Sequence, residues 1–121
     1  MPGETFSFNQ ATGQRTTEKG YKSAGAIAAG QSIEEVGGGI CQVSSTLFNA
    51  VARANLEIVS RSPHAWPSTY VNIGEDATVN WPKPGFSSFK KTILKIPFFI
   101  ITYYKNRRMS ARSGACHWER V

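Results

Sequence analysis

Gly37-Gly38-Gly39-Ile40-Cys41-Gln42-Val43-Ser44-Ser45-Thr46-Leu47-Phe48-Asn49-Ala50-Val51-Ala52-Arg53-Ala54 is the stretch that decides the fold. After the three glycines, Val43, Leu47, Val51 and Ala54 recur at helical spacing, and Phe48 joins that face. Apolar residues three and four apart predict an amphipathic helix from about Cys41 to Ala54, with Asn55 as its stop. Such a helix has one apolar stripe and must bury it against another element.

The flanking sequence supplies that element as short strands. Downstream, Leu56–Val59, Tyr70–Ile73, Ala77–Trp81 and Ile93–Tyr104 read as strands, the last with Pro97 forcing a bulge or an edge position. Between them lie a proline-bounded loop, Ser62–Pro67, a turn at Gly74-Glu75-Asp76 and a loop at Pro82–Gly85. Upstream, Pro2-Gly3 turns the chain into a strand through Thr5-Phe6-Ser7-Phe8, and Thr12–Gly20 is polar and turn-like. Tyr21–Gly30 reads as a short strand or a weak helix, and Ser32–Val36 leads into the glycines. The expected fold is α+β: a small mixed domain with one main helix, about 41–54, packed on a mostly antiparallel sheet of short strands. It covers residues 1–108, and residues 109–121 read as an irregular basic tail without periodicity.

The composition fits one small domain. The chain has 121 residues, 40% hydrophobic and 12% aromatic, which excludes a disordered segment. Eleven glycines and six prolines favour many turns over a helical bundle. The net charge of +6 suits an anionic polymer or surface, and Lys90, Lys91, Lys95, Lys105, Arg107, Arg108, Arg112 and Arg120 crowd the last third. Neither the aromatic-basic pattern of an RNA-binding sheet nor zinc-finger spacing is visible, so no nucleic-acid partner is expected. The longest apolar run, Ile96–Tyr104, is too short for a membrane span and contains Pro97. The first residues, Met1–Thr5, lack the basic and apolar regions of a leader peptide, so compartment is left open. Two cysteines, Cys41 and Cys116, either pair in an oxidising compartment or remain free thiols. No pair among Cys41, His64, Cys116 and His117 has structural-zinc spacing, so neither a metal nor a cofactor is expected.

Cys41 is the candidate reactive group. A helix N-terminus presents free N–H groups and partial positive charge, which stabilise a thiolate. Glycines leave neighbouring N–H groups unobstructed for an oxyanion, so Gly38, Gly39 and Gln42 are candidate donors, with Ser44 and Ser45 beside them. A cysteine nucleophile needs a base, and His64 is favoured because Pro63 and Pro67 stiffen its loop. Asp76 is the candidate to orient the histidine, with Tyr70 and Asn72 behind it. The plainer alternatives are a small buried hydrophobe at Cys41, a flexible glycine turn and a surface histidine. A phosphate loop is disfavoured because the glycine run lacks the Lys-Ser/Thr that should follow.

Several stretches together resemble the VanW family. They are Pro2-Gly3-Glu4-Thr5-Phe6-Ser7-Phe8-Asn9, Glu18-Lys19-Gly20-Tyr21, and the glycine-cysteine segment from Gly37 to Ala50. After these come Arg61-Ser62-Pro63-His64, Tyr70-Val71 and Asp76-Ala77-Thr78-Val79. The resemblance implies an extracytoplasmic or cell-wall protein acting on peptidoglycan stem peptides. It also implies a cysteine L,D-transpeptidase that forms peptidoglycan crosslinks through a Cys41 thioester, with His64 as base. The alternatives are a non-catalytic peptidoglycan-binding or glycopeptide-resistance accessory module, and an inactive gene fragment. Two departures motivate the last. Met1 directly precedes the Pro2–Asn9 stretch, where the family carries a further strand, and Met109–Val121 lacks the closing strand expected after Arg107. An incomplete copy of the domain is the expectation.

Overall fold

The computed structural model describes residues 3–28, 30–81, 88–90, 98–105 and 108–115, with residues 27–28 and those from 88 onward as backbone. The elements run β1 (Thr5–Ser7), α1 (Phe8–Thr12), a 3-10 turn (Thr17–Lys19), β2 (Ser23–Ala28), β3 (Gln31–Val36) and α2 (Ile40–Arg53). They continue with β4 (Glu57–Ser60), β5 (Ser88–Lys90), β6 (Phe98–Lys105) and β7 (Arg108–Ala115). Every described strand pair is antiparallel. β1, β5 and β4 form a three-stranded sheet in that order, and β2–β3 and β6–β7 form two hairpins. The molecule is the small α+β domain with one main helix that the sequence pattern predicts.

Helix α2 lies where its periodicity places it, and its stop is Asn55. That residue takes a left-handed φ of 57°, which asparagine tolerates better than most side chains. The Leu56 N–H then donates back to the Val51 carbonyl at 3.2 Å, which aims Leu56 into the core. The core joins Leu47 and Val51 of α2 to Phe8, Leu56, Ala77 and Val79. Phe6, Ile40, Cys41, Val43, Phe48, Ala54 and Ile58 pack around it. Burial of each large apolar side chain here is worth about 1.5–3 kcal/mol relative to exposure.

Four local expectations change. Phe8 ends the strand reading because Ser7 caps a helix: its Oγ accepts from the Gln10 N–H at 3.3 Å, and Gly13 closes α1 at φ 64°. The signal is the Ser-x-x-Gln spacing of a capping box at Ser7–Gln10. Residues 23–28, left between strand and helix, form β2. Residues 70–73 and 77–81 are not strands; the backbone of 77–80 is answered by side chains and by the Ser62 carbonyl rather than by a neighbouring strand. Residues 109–115, the first part of the expected irregular tail, belong to β7 (Arg108–Ala115), in register with β6 from Lys105 opposite Arg108 to Phe98 opposite Ala115. A polar hairpin partner needs no apolar period of its own, so its sequence carries no strand signal. The expected loop at 82–85 and residues 93–97 fall outside the described residues.

Candidate active site

Cys41 occupies the first turn of α2. Gly39, with φ 89°, is the N-cap residue and turns the chain into the helix. The three glycines are not equivalent. A Cβ on Gly38 would strike the backbone of Ala24 and Gly25, so strand β2 approaches too closely for any side chain there. Gly37, at φ 82°, donates its N–H to the Lys22 carbonyl at 3.0 Å. The Gly38 N–H donates to Glu35 O at 3.0 Å, and the Gln42 N–H to Gly39 O at 3.0 Å. Two of the expected oxyanion donors are therefore occupied. Among the described residues, the N–H groups of Gly39 and Cys41 make no hydrogen bond and are the donors this turn leaves free.

The thiol itself is half-buried against the core and donates to the Val79 carbonyl at 3.5 Å. Ser44 and Ser45, expected beside a substrate, are instead wholly buried at 0% exposure. Ser44 Oγ donates to the carbonyls of Ala77 at 2.5 Å and Cys41 at 3.0 Å. Ser45 Oγ lies 3.2 Å from Ala77 O and accepts from the Ala77 N–H at 2.9 Å. Asn49 adds donations to Ser45 O at 2.8 Å and to Glu75 O at 2.7 Å, and Asn9 Nδ2 donates to Asn80 O at 2.8 Å. The serines, with Asn9 and Asn49, thus hold the 75–80 segment against α2, which removes the two hydroxyls from the substrate side. Buried polar groups must be answered, and here each answers the other.

His64 and Asp76 come together as expected. Asp76 is buried, and its Oδ2 accepts from the His64 backbone N–H at 2.6 Å and faces His64 Nδ1 at 2.5 Å. Burial alone pushes the Asp76 carboxyl up, but the hydrogen bonds from His64 outweigh it, and the net direction is down. An ionised carboxylate can only accept, so Nδ1 carries the proton and the Nε2 lone pair of a neutral ring faces outward. Tyr70 OH stands 3.1 Å from that Nε2. Burial and the negative charge of Cys41 raise the Tyr70 phenol, and the hydroxyls of Ser45 and Ser68 draw it partly back. Tyr70 therefore stays protonated and donates to His64. Among the described residues no hydrogen bond joins Cys41 to His64, and Tyr70 stands against the outer face of the histidine.

Two arginines complete the site, and neither was singled out from the sequence. Arg61 donates from Nε to Asp76 O at 2.7 Å and from Nη2 to Asp76 Oδ1 and Gly74 O, both at 3.0 Å. Its guanidinium lies 5.4 Å from the Phe48 ring centroid, so it ties the loop to α2. The run Arg61-Ser62-Pro63-His64 was the signal that could have marked it. Arg15 lies against Gly37, on the other side of the glycine turn. A cavity of about 290 Å³ opens beside His64 and Asp76, bordered by Arg61, Pro63, Trp66 and Ile73. Gln42 is exposed on the first turn, and Asn72 Nδ2 donates to Glu75 Oε2 at 3.3 Å, not to the histidine. Among the described residues no cluster of His, Cys, Asp and Glu could hold a metal ion, and no helix is long and apolar enough to cross a membrane.

Comparison with known proteins places this chain in a family. Residues 1–112 match the family described as VanW like protein. The chain is 62% identical over 86 residues to the uncharacterized protein YoaR of Bacillus subtilis (strain 168), covering 71% of this chain and 28% of YoaR. It is 34% identical over 84 residues to the vancomycin B-type resistance protein VanW of Enterococcus faecalis (strain ATCC 700802 / V583), covering 65% of this chain and 30% of that protein. The aligned part thus spans less than a third of either relative. No solved structure matches. A family match over residues 1–112 and two such relatives agree, and the chain belongs to the VanW-like family.

Proposed function

We propose that this chain is a peptidoglycan-directed cysteine L,D-transpeptidase domain. The carrying observation is the hydrogen-bonded series Asp76–His64–Tyr70, in a domain whose one cysteine of the described residues stands at the start of α2. Asp76 fixes the ring and its tautomer. The thiol proton passes to the Tyr70 oxygen as Tyr70 gives its own proton to His64 Nε2. The Cys41 sulfur attacks the carbonyl carbon that precedes the terminal D-Ala of a stem tetrapeptide, after meso-diaminopimelate or its equivalent. The N–H groups of Gly39 and Cys41 hold the oxyanion. The C–N bond breaks, D-Ala leaves with the proton held by His64, and a thioester remains. The amine of a second stem then attacks that carbonyl, loses a proton to His64, and releases the thiol.

Mass spectrometry of the protein incubated with a stem tetrapeptide tests this. The expected result is a covalent adduct on Cys41 with release of D-Ala, both absent in Cys41→Ser. His64→Ala is expected to slow adduct formation by about 10²–10⁴-fold, the range of general acid–base catalysis. Adduct formation that survives Cys41→Ser would overturn the assignment.

A second reading has its own support. The Cys41 thiol is half-buried and bonded to Val79 O rather than to His64. A stem-peptide-binding accessory module, in keeping with the resistance named for the VanW relative, would use the same groove without chemistry. Unchanged peptide affinity in Cys41→Ser, with no adduct in the wild type, would establish it.

A further inference from the structure

The acyl transfer proposed above uses the His64 side of the loop cavity and leaves its outer lip without a role. That lip is apolar and bare: Trp66 is 67% exposed and Ile73 87% exposed, and both border the cavity. Large apolar side chains gathered around one concavity mark a binding site, whereas scattered ones do not. Ser68 and Asn72 line the same cavity, and each offers a neutral donor and acceptor. Its charges answer each other. Arg61 Nη2 stands 3.0 Å from Asp76 Oδ1, which leaves little net charge to hold an ionic group. The backbone of the wall is occupied as well. Gly74 O and Asp76 O accept from Arg61, Ser62 O accepts from Thr78, and the His64 N–H donates to Asp76 Oδ2. A peptide seated as an added strand needs unused backbone groups, so this wall does not suit one.

The β2–β3 hairpin sets the distance from the nucleophile's turn to that lip. Its base is bound to the turn: the Gly37 N–H donates to Lys22 O at 3.0 Å, and Gly38 packs on the backbone of Ala24 and Gly25. Its tip meets the lip, where a Cβ on Gly30 would stand 3.8 Å from Trp66 Nε1. Glu34 pairs with Gly25 and is four residues from Gly30, which at the rise of a strand is about 13 Å. In a stem peptide, the three residues up to the attacked carbonyl span about 10–11 Å when extended. Beyond them come the lactyl link and the sugar of the glycan strand. The reach from turn to lip is the reach from carbonyl to sugar.

We propose that the Trp66 lip is a saccharide subsite that takes the N-acetylated amino sugar carrying the stem. The proposal rests on the stem-directed reading of the site and names the part of the substrate which that reading leaves unheld. A pyranose ring has an apolar face of C–H bonds and a rim of hydroxyl and amide groups. The C–H face meets the negative face of the indole, and the rim meets Ser68 and Asn72. One flat apolar surface beside neutral donors and acceptors is what the cavity presents, and a charged peptide end finds no match there. Pro63 and Pro67 border the same cavity and restrict the backbone on either side of Trp66, so little freedom is lost when a ring settles on it.

Calorimetric titration of the full chain with two probes tests this. One probe is the free stem tetrapeptide, and the other is the same tetrapeptide joined to N-acetylglucosaminyl-N-acetylmuramic acid. The disaccharide probe is expected to bind about 5–10-fold more tightly. Trp66→Ala is expected to bring the two affinities together, and Trp66→Phe, which keeps an aromatic face, to preserve most of the difference. Equal binding of both probes by the wild type overturns the proposal. So does equal weakening of both in Trp66→Ala, because Trp66 then serves the peptide or the fold. If Trp66→Ala does not fold, Ile73→Ser decides by the same comparison: a loss confined to the disaccharide probe supports the subsite, and an equal loss or none overturns it. Failure of either probe to bind at all overturns the subsite and the stem-directed reading together. Adduct formation on Cys41 is scored separately. An adduct without preference between the probes removes the saccharide subsite and leaves the transpeptidase, whereas preference without an adduct does the reverse.

Discussion

The β2–β3 hairpin and the 61–81 loop reverse the usual association between regular structure and burial. The hairpin pairs six residues of each strand in unbroken register, from Ser23 opposite Val36 to Ala28 opposite Gln31. Nearly all its described side chains are exposed. The loop contains no strand, yet Asp76, Ala77 and Val79 are among the most buried residues described. In the hairpin the backbone answers itself, and no apolar face is required of the sequence. In the loop the backbone is answered by Ser44, Ser45, Asn49, Arg61 and Asn9, so it can enter the core without a ladder. The loop is thus specified by individual side chains and breaks at individual side chains, while the hairpin tolerates substitution at most positions.

Asp76→Ala should break that contrast most severely. It leaves Arg61 and the His64 backbone N–H unanswered, and removing one partner of a buried pair costs several kcal/mol. Arg61 is a quarter exposed, which places the expected loss near the lower end, about 3 kcal/mol, by urea unfolding. The carboxyl is held below its ordinary range, so its stabilisation is complete above that range. It fades as pH falls through the lowered value. The acid limb of the wild-type stability curve should therefore flatten in Asp76→Ala. An unchanged midpoint and an unchanged acid limb would show that the carboxylate does not hold the loop.

Ser44→Ala should have an intermediate effect. It removes the shorter of the two serine hydrogen bonds to the buried Ala77 carbonyl and leaves only the longer one from Ser45, with an expected loss of about 1 kcal/mol. Hydrogen exchange should locate that loss at the Ala77 and Thr78 amides, which bond Ser45 Oγ and Ser62 O, and not across the β2–β3 ladder. Equal loss of protection in the hairpin would mean that the two regions unfold as one unit. Ile33→Thr is the smallest perturbation. Ile33 is 37% exposed on β3, and a change within about 0.5 kcal/mol is expected in thermal unfolding. A larger loss would reveal a hairpin that is more tightly packed than its exposure indicates.

The same contrast explains what the sequence made legible. Helix α2 was readable because Val43, Leu47 and Val51 repeat at the period of the structure they form, and Asn55 marks its end. The placement of Cys41 at a helix start and of His64 beside Asp76 was legible, because a glycine run, a stiff loop and an acidic turn each mark themselves in the sequence. The roles of Ser44 and Ser45 were not readable. A serine on a helix looks the same whether it meets a substrate or a carbonyl from a segment thirty residues away. The 77–81 segment looked like a strand because alternating burial gives the same pattern whether side chains or a neighbouring strand satisfy the backbone. Arg15 escaped notice because it lies against Gly37, far along the chain, which no local pattern encodes.

The sheet also sets the order in which the molecule can be made. β1 pairs with β5, with Thr5 opposite Lys90, so the first strand emerges from the ribosome long before its partner exists. At about 5–20 residues per second the wait is roughly 4–17 s. Helix α2 and the loop that embraces it lie wholly within that interval, and their core contacts can form first. The closing strand then completes the sheet as a late event, and until it does β1 offers an open edge to any other extended chain. Slowing translation between residues 60 and 88 would lengthen that exposure without altering a single residue of the finished protein.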